Sequence, residues 1–379
     1  MYATGKYSPP ARAAALLLLL LTGGCVTAES WEATRVLQDI DAGADPSALK
    51  QVTPTPSRTT LPYSVEGREN VADFYDPRQP SGGTLVLVPG FTRAGKNDSR
   101  VVELARSLAR ARFHVMVPEV PGSRALRVRL EDSVTIADAL RHLRQSPRAA
   151  EGPIGVVAVS YAVGLAVLAA LEVEAESLPD FLVGIGGYYD TEAVVTFATT
   201  KQFRLPGSHR WESGKPLESA KWIFLAGNAA VLGDPRDRRR LEALGEACFD
   251  GCQPDVAALA AELGPEGRAL VALIANRDPQ RVPALVAALP PAVRHRMQAL
   301  SLRGRDLSRL AGRLILIHGR LDPLDPYSES MALARAVADS ELFLIDGFSH
   351  ITPRGVGWAG QLQLVSAIKA VLDRRRPPP

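Results

Sequence analysis

Apolar residues in this chain fall into short unbroken runs, separated by stretches where they recur every three or four positions. The unbroken runs cover residues 84–88, 115–117, 154–159, 181–185, 314–317 and 342–345, several of them ended by Pro or Gly. Runs of this length and composition predict strands buried on both faces. Helical spacing follows them. Val101, Val102, Leu104, Leu108 and Ala109 share one face of a helix that Asp98 or Ser99 can cap. Residues 132–145 carry Ile136, Ala139, Leu140 and Leu143 on one face, and further helices are predicted over 161–171 and 357–371. Near the start, residues 59–65 and 71–75 alternate as a hairpin with Gly67 near its turn.

Strands alternating with helices imply an α/β fold, a mostly parallel sheet with helices on both faces. One stretch, residues 191–310, breaks the alternation. It reads as mostly helical, with helices over 256–263, 268–276, 282–289 and 292–302. Because strand–helix alternation resumes at Leu314, this stretch is expected to be a largely helical cap inserted into the core; a separate domain is the alternative. Residues 58–190 and 311–379 would then be the two parts of one core. Residues 25–57 read as a tether with one amphipathic helix over 31–42, followed by Pro54 and Pro56.

The first 24 residues have a different character. Lys6 and Arg12 precede a very apolar stretch at 13–21, and Thr22-Gly23-Gly24 lead into Cys25. The stretch is too short to span a bilayer, which takes about 20 residues, and reads as a signal peptide. The small residues before Cys25 resemble a bacterial lipobox. That resemblance implies lipidation of Cys25 and a periplasm-facing protein held to the cell envelope, at the outer membrane because no aspartate follows the cysteine. An ordinary secretory signal is the alternative.

The remaining composition narrows the partners. The 379 residues are 46% hydrophobic and 22% charged, enough for a large core, and the net charge is only +3. No basic run is interleaved with aromatics, so nucleic acid is not expected as a partner. With Cys25 set aside, Cys248 and Cys252 remain. In an oxidising compartment they suit a local disulfide, and no nearby histidine completes a metal site. No metal or organic cofactor is expected.

The residues that suggest chemistry lie at strand ends. The segment Gly155-Val156-Val157-Ala158-Val159-Ser160-Tyr161-Ala162-Val163-Gly164 runs from a strand into a helix with a serine at the junction. It resembles the nucleophile elbow of the α/β-hydrolase superfamily, where residues two before and two after the nucleophile must be small. Ala158 and Ala162 stand where glycines are usual. Ser160 is thus the candidate nucleophile, and a helix N-cap serine is the bland alternative.

The resemblance implies partners for it. A histidine after the last strand corresponds to His350, in Asp346-Gly347-Phe348-Ser349-His350. An acid after the preceding strand corresponds to Asp322, in Gly319-Arg320-Leu321-Asp322-Pro323. Asp190 and Asp325 are the alternative acids, and His318 is expected to shape the loop carrying the acid. The order Ser–Asp–His is that of the α/β-hydrolases. Oxyanion donors are expected from the backbone N–H of Tyr161 and of Phe91, with Thr92 next.

The segment Gly186-Gly187-Tyr188-Tyr189-Asp190 is similar to bacterial dienelactone hydrolase-like proteins, which often use a cysteine nucleophile where this chain has serine. The leading expectation is therefore hydrolysis of a small-molecule carboxylic ester through an acyl–Ser160 intermediate. Phe203, Trp211 and Trp222 would either line an apolar pocket or form the cap's core. A non-catalytic binding protein of the same fold and an envelope acyltransferase are the rival readings.

Overall fold

The computed structural model describes residues 28–147, 152–249, 252, 254–350 and 356–376. The signal segment and Cys25 lie outside the described residues, and so do residues 351–355, directly after His350.

Eight strands form the central sheet: β1 (Ser57–Val65), β2 (Arg68–Asp76), β3 (Gly83–Val88), β4 (Phe113–Pro118), β5 (Ile154–Val159), β6 (Phe181–Ile185), β9 (Leu314–Gly319) and β10 (Glu341–Ile345). Their order is β1-β2-β4-β3-β5-β6-β9-β10. Only the β1–β2 and β2–β4 pairs are antiparallel. The hairpin turns at Glu66 and Gly67, both with positive φ (51° and 78°), as a two-residue turn between twisted strands requires. This order, with its reversed second strand and sharp turn after β5, is the α/β-hydrolase fold.

Every residue of β3, β5 and β9 is buried, so these strands read as unbroken apolar runs rather than alternating ones. The pleat divides their side chains between two cores. Val86, Val156, Leu182 and Leu314 face a cluster with Ile136 and Leu140 of α5 (Glu131–Gln145), Leu165 of α6 (Ala162–Glu172) and Leu333 of α14 (Ser328–Ala336). Leu85, Val157, Val183 and Ile315 face the other cluster, with Val36 of α1 (Ala28–Ala42), Leu108 of α3 (Ser99–Arg110) and Leu364 of α15 (Trp358–Leu372). The elements between are α2 (Ala48–Val52) and α4 (Pro121–Ala125).

The tether expectation needs correction from residue 28 onward. Helix α1 is docked on the core, with Ala33 and Val36 fully buried. Asp39, also buried, accepts hydrogen bonds from Ser47, from Lys50 Nζ (2.6 Å) and from Ser107 Oγ on α3 (2.7 Å). Glu32 takes two bonds from Arg375 after α15, each 2.7 Å. A buried carboxylate is tolerated only when donors surround it, and at Asp39 the residues Ser47 and Lys50 supply them locally while Ser107 supplies one from the core.

Residues 191–310 leave the sheet after β6 and rejoin it before β9. They form α7 (Thr191–Thr200), a two-stranded hairpin of β7 (Gln202–Phe203) and β8 (Glu212–Ser213), α8 (Glu218–Ala229), α9 (Pro235–Ala247), α10 (Val256–Ala261), α11 (Pro265–Ala275), α12 (Val282–Ala287) and α13 (Pro291–Leu300). The insertion has a core of its own, built around Trp222, Leu225, Leu241, Leu270 and Val293. It is joined to the sheet domain by Arg127, whose guanidinium reaches Glu242 (3.1 Å) and Glu246 (2.7 Å) on α9. Leu302 N–H also donates to the Tyr189 carbonyl (2.9 Å).

Candidate active site

Ser160 stands at the junction of β5 and α6 with φ +60°, a left-handed conformation that non-glycine residues rarely adopt. The fold supports this strain locally. Ser160 N–H donates to the Ile185 carbonyl at 2.7 Å, and Ala158 and Ala162 are completely buried beside it. A Cβ on Gly90 would come within 3.3 Å of Ser160 Cβ, and one on Gly164 within 2.3 Å of the Tyr188 ring. A residue held in an unfavourable backbone well by its surroundings is a hallmark of functional turns. No side chain caps α6, so the Ser160 hydroxyl is not spent as a helix cap.

Asp322 lies on the loop after β9, its side chain fully buried. One carboxylate oxygen, Oδ1, accepts from the backbone N–H of Leu324 (2.8 Å) and Asp325 (3.1 Å). The other, Oδ2, is 2.6 Å from His350 Nδ1. Burial favours the neutral acid, but the bonds and charges of His318 and His350 outweigh it and hold the Asp322 carboxyl down to about 2. Burial likewise opposes the imidazolium of His350, yet the bond to Asp322 and its charge prevail, and the His350 pKa is raised. His350 Nε2 is buried and has no hydrogen-bond partner among the described residues.

Gly186 links the acid–base pair to the serine. The residue before it, Ile185, receives the Ser160 N–H, while a Cβ on Gly186 would lie 3.0 Å from both Asp322 Oδ2 and His350 Nδ1. With φ +61°, this position suits glycine on both counts.

Of the alternative acids, Asp190 is occupied elsewhere. Asp190 caps α7, accepting from Glu192 N–H (3.0 Å), and pairs with Arg303 (3.1 Å). Asp325 is buried beside the pair but is pushed up to about 7 by burial and by the Asp322 charge. Its backbone carbonyl lies 3.0 Å from His318 Nε2.

On the other side of Ser160, the loop after β3 approaches the elbow. The Phe91 and Tyr161 rings are stacked, with centroids 4.0 Å apart. Thr92 N–H donates to the Ser123 carbonyl (3.2 Å), and Ser123 Oγ donates to the Gly90 carbonyl (2.6 Å). Thr92 N–H is therefore already engaged.

Of the cap aromatics, Trp222 belongs to the cap's own core. Phe203 packs edge-on against Phe197 and against Tyr327 of the acid-bearing loop. Trp211 stacks under the Arg204 guanidinium, 3.8 Å from its ring centroid. Cys248 and Cys252 are joined in a disulfide, with Cα atoms 4.7 Å apart.

Two neighbours of the site carry no signal in the sequence. Glu329, buried on α14, accepts from Tyr189 N–H (3.0 Å) and Asp190 N–H (2.8 Å), and so anchors the loop after β6. The Phe91–Tyr161 stack is equally silent, because nothing in either segment marks the rings as partners.

No family model matches the chain, and no curated protein does. Among solved structures it is similar to a dienelactone hydrolase from Anabaena variabilis, at 12% identity and a TM-score of 0.44, over 84% of this chain and 97% of that one. A hyperthermophilic esterase from Pyrobaculum calidifontis is similar at 15% identity and a TM-score of 0.46, over 96% and 98%. Est1E from Butyrivibrio proteoclasticus is similar at 13% identity and a TM-score of 0.44, over 83% and 98%. Likenesses this distant carry no argument about chemistry, and the fold rests on the strand order given above.

Proposed function

We propose that this chain is a serine hydrolase cleaving a carboxylic ester through an acyl–Ser160 intermediate, with His350 as general base and Asp322 as its orienting acid. The observation that carries the reading is the imidazole of His350. Its Nδ1 is bonded to a buried carboxylate and its buried Nε2 has no partner among the described residues, while Ser160 is held in strained backbone at the turn after β5.

A serine hydroxyl attacks a carbonyl only when a base removes its proton. His350 Nε2 takes that proton as Ser160 Oγ bonds to the ester carbon. Asp322 fixes the Nδ1–H tautomer and stabilises the imidazolium that forms. The backbone N–H groups of Phe91 and Tyr161 receive the developing oxyanion. The intermediate then collapses as His350 returns the proton to the departing alkoxide. A water molecule, deprotonated by the same imidazole, releases the acid and restores Ser160. These steps need only the chain's own residues and the two substrates, ester and water.

The segment before α1 supports a cellular placement for this activity. The signal-like stretch ending in Cys25 fits a lipid-anchored envelope protein whose substrate is met outside the cytoplasm.

Hydrolysis of 4-nitrophenyl acetate and butyrate by the detergent-solubilised full chain tests the reading. Turnover that falls by about 10³-fold or more in Ser160→Ala supports it. Turnover that persists in Ser160→Ala contradicts it, and a folded wild type inert to every ester tried favours a binding role for the same fold.

A further inference from the structure

The oxygen of Asp322 that holds His350 also faces a second histidine. His318 ends β9, is completely buried, and points its Nε2 at two acceptors. The Asp325 carbonyl is 3.0 Å away, and Asp322 Oδ2 is 3.4 Å away as a longer second partner. The other ring nitrogen, Nδ1, lies 2.7 Å from Ser330 Oγ on α14. Two acceptors in front of Nε2 require that it carry the hydrogen. Nδ1 is then the acceptor, and the buried Ser330 hydroxyl supplies its proton. One neutral tautomer satisfies all four groups.

We propose that His318 is a positioning residue for the acid of the site: its Nε2–H shares Asp322 Oδ2 with His350, fixing the carboxylate's orientation and dividing its charge between two imidazoles. The proposal rests on the triad reading above for its catalytic consequence, but the coupling between the two histidines stands on geometry alone. Leu324 N–H and Asp325 N–H hold one oxygen of Asp322 and His350 holds the other, with His318 Nε2 standing 3.4 Å from it. Such a carboxylate cannot rotate without breaking several bonds, so the His350 ring it orients is fixed too. The titratable groups around His318 are Asp322, Asp325 and His350, with Glu329 one position before Ser330 on α14.

Charge sharing makes a prediction that core packing alone does not. Without the His318 N–H, the Asp322 charge acts undivided on His350 and favours its protonated form. The test compares wild type, His318→Asn and His318→Gln as detergent-solubilised full chains. Glutamine can present an N–H where Nε2 stands, whereas asparagine falls short. Two readouts are taken: kcat and KM against pH, and the His350 titration followed by NMR of ring-labelled histidine, which needs no turnover.

In His318→Asn, kcat is expected to fall by about 10-fold with KM nearly unchanged. Its acid-limb midpoint and the His350 titration should both move up by about half a pH unit. His318→Gln should recover most of both. A folded His318→Asn with an unmoved His350 titration overturns the proposal, whatever happens to kcat. If His318→Asn does not fold, Ser330→Ala takes its place. It frees Nδ1 of its donor and should shift the His350 titration in the same direction, and a folded Ser330→Ala with no shift overturns the proposal as well. A His350 titration that responds to His318 in a protein without Ser160-dependent turnover would refute the hydrolase reading while leaving the coupling intact.

Discussion

Phe91 and Tyr161 are stacked with ring centroids 4.0 Å apart and planes 14° from parallel. In the proposed mechanism each contributes a backbone N–H to the oxyanion, and the stack would then fix the spacing of the two donors. Phe91→Leu keeps apolar bulk but removes the ring contact. It is expected to cost about 1 kcal/mol of stability. The kcat should fall by about 10-fold, less than the loss of a whole donor. Urea unfolding and ester kinetics check the two effects. An unchanged kcat would show that the donors are held without the rings.

Activity should fall on the acid side. His350 must be neutral to accept a proton, and its pKa is raised above the ordinary 6.5 because the Asp322 bond and charge outweigh burial. The kcat/KM profile is therefore expected to decline as pH falls through a midpoint above 6.5. A midpoint below that value would place the essential base elsewhere.

Glu329 sets a stability limit on the alkaline side. Burial first, then the charges of Asp190 and Asp325, push its carboxyl up from 4.5 to about 8 in spite of two backbone N–H bonds. A folded pKa above the unfolded one gives stability that is complete below pH 4.5 and is lost as pH rises through about 8. Glu329→Gln keeps an acceptor for Tyr189 and Asp190 N–H but cannot ionise. Its melting temperature at pH 9 should exceed wild type by a few degrees, with little difference at pH 5. Equal melting temperatures at pH 9 would contradict the assignment.

Helix α1 is part of the folding unit. Asp39→Ala leaves the Lys50 ammonium and the Ser47 and Ser107 hydroxyls without their shared acceptor. A loss of about 3 kcal/mol is expected in urea unfolding. An unchanged unfolding midpoint would show that α1 is dispensable.

The Cys248–Cys252 bond closes a very short loop, so replacing both by alanine should cost no more than about 2 kcal/mol and leave kcat unchanged. Cys25 is expected to behave differently. Cys25→Ser should release the protein from membranes and abolish globomycin-sensitive maturation. Maturation indifferent to both would refute lipid anchoring.

The parts of the site written in contiguous sequence were legible. A strand running into a helix with Ala158 and Ala162 about Ser160 announces an elbow because the turn demands small neighbours. Asp322 and His350 were legible by position, in the loops after the apolar runs that form β9 and β10. What depends on distant neighbours was not. The apolar face of α1, Ala33, Val36, Leu37 and Ile40, was legible as an amphipathic helix, but its docking on the core shows only once Ser107 and Arg375 are in place beside Asp39 and Glu32. Helix α8 carries Trp222-Ile223-Phe224-Leu225, an unbroken run that gives no helical period. Glu329 and Ser330 look like ordinary polar residues at a helix start until the loop after β6 and His318 close over them.

The most direct test of the central claim is the reaction of the full chain, in membranes of expressing cells, with a fluorophosphonate. The account predicts one adduct, located on Ser160 by peptide mass spectrometry, absent in Ser160→Ala and strongly slowed in His350→Ala. An adduct on another serine, or labelling that survives Ser160→Ala, would contradict it.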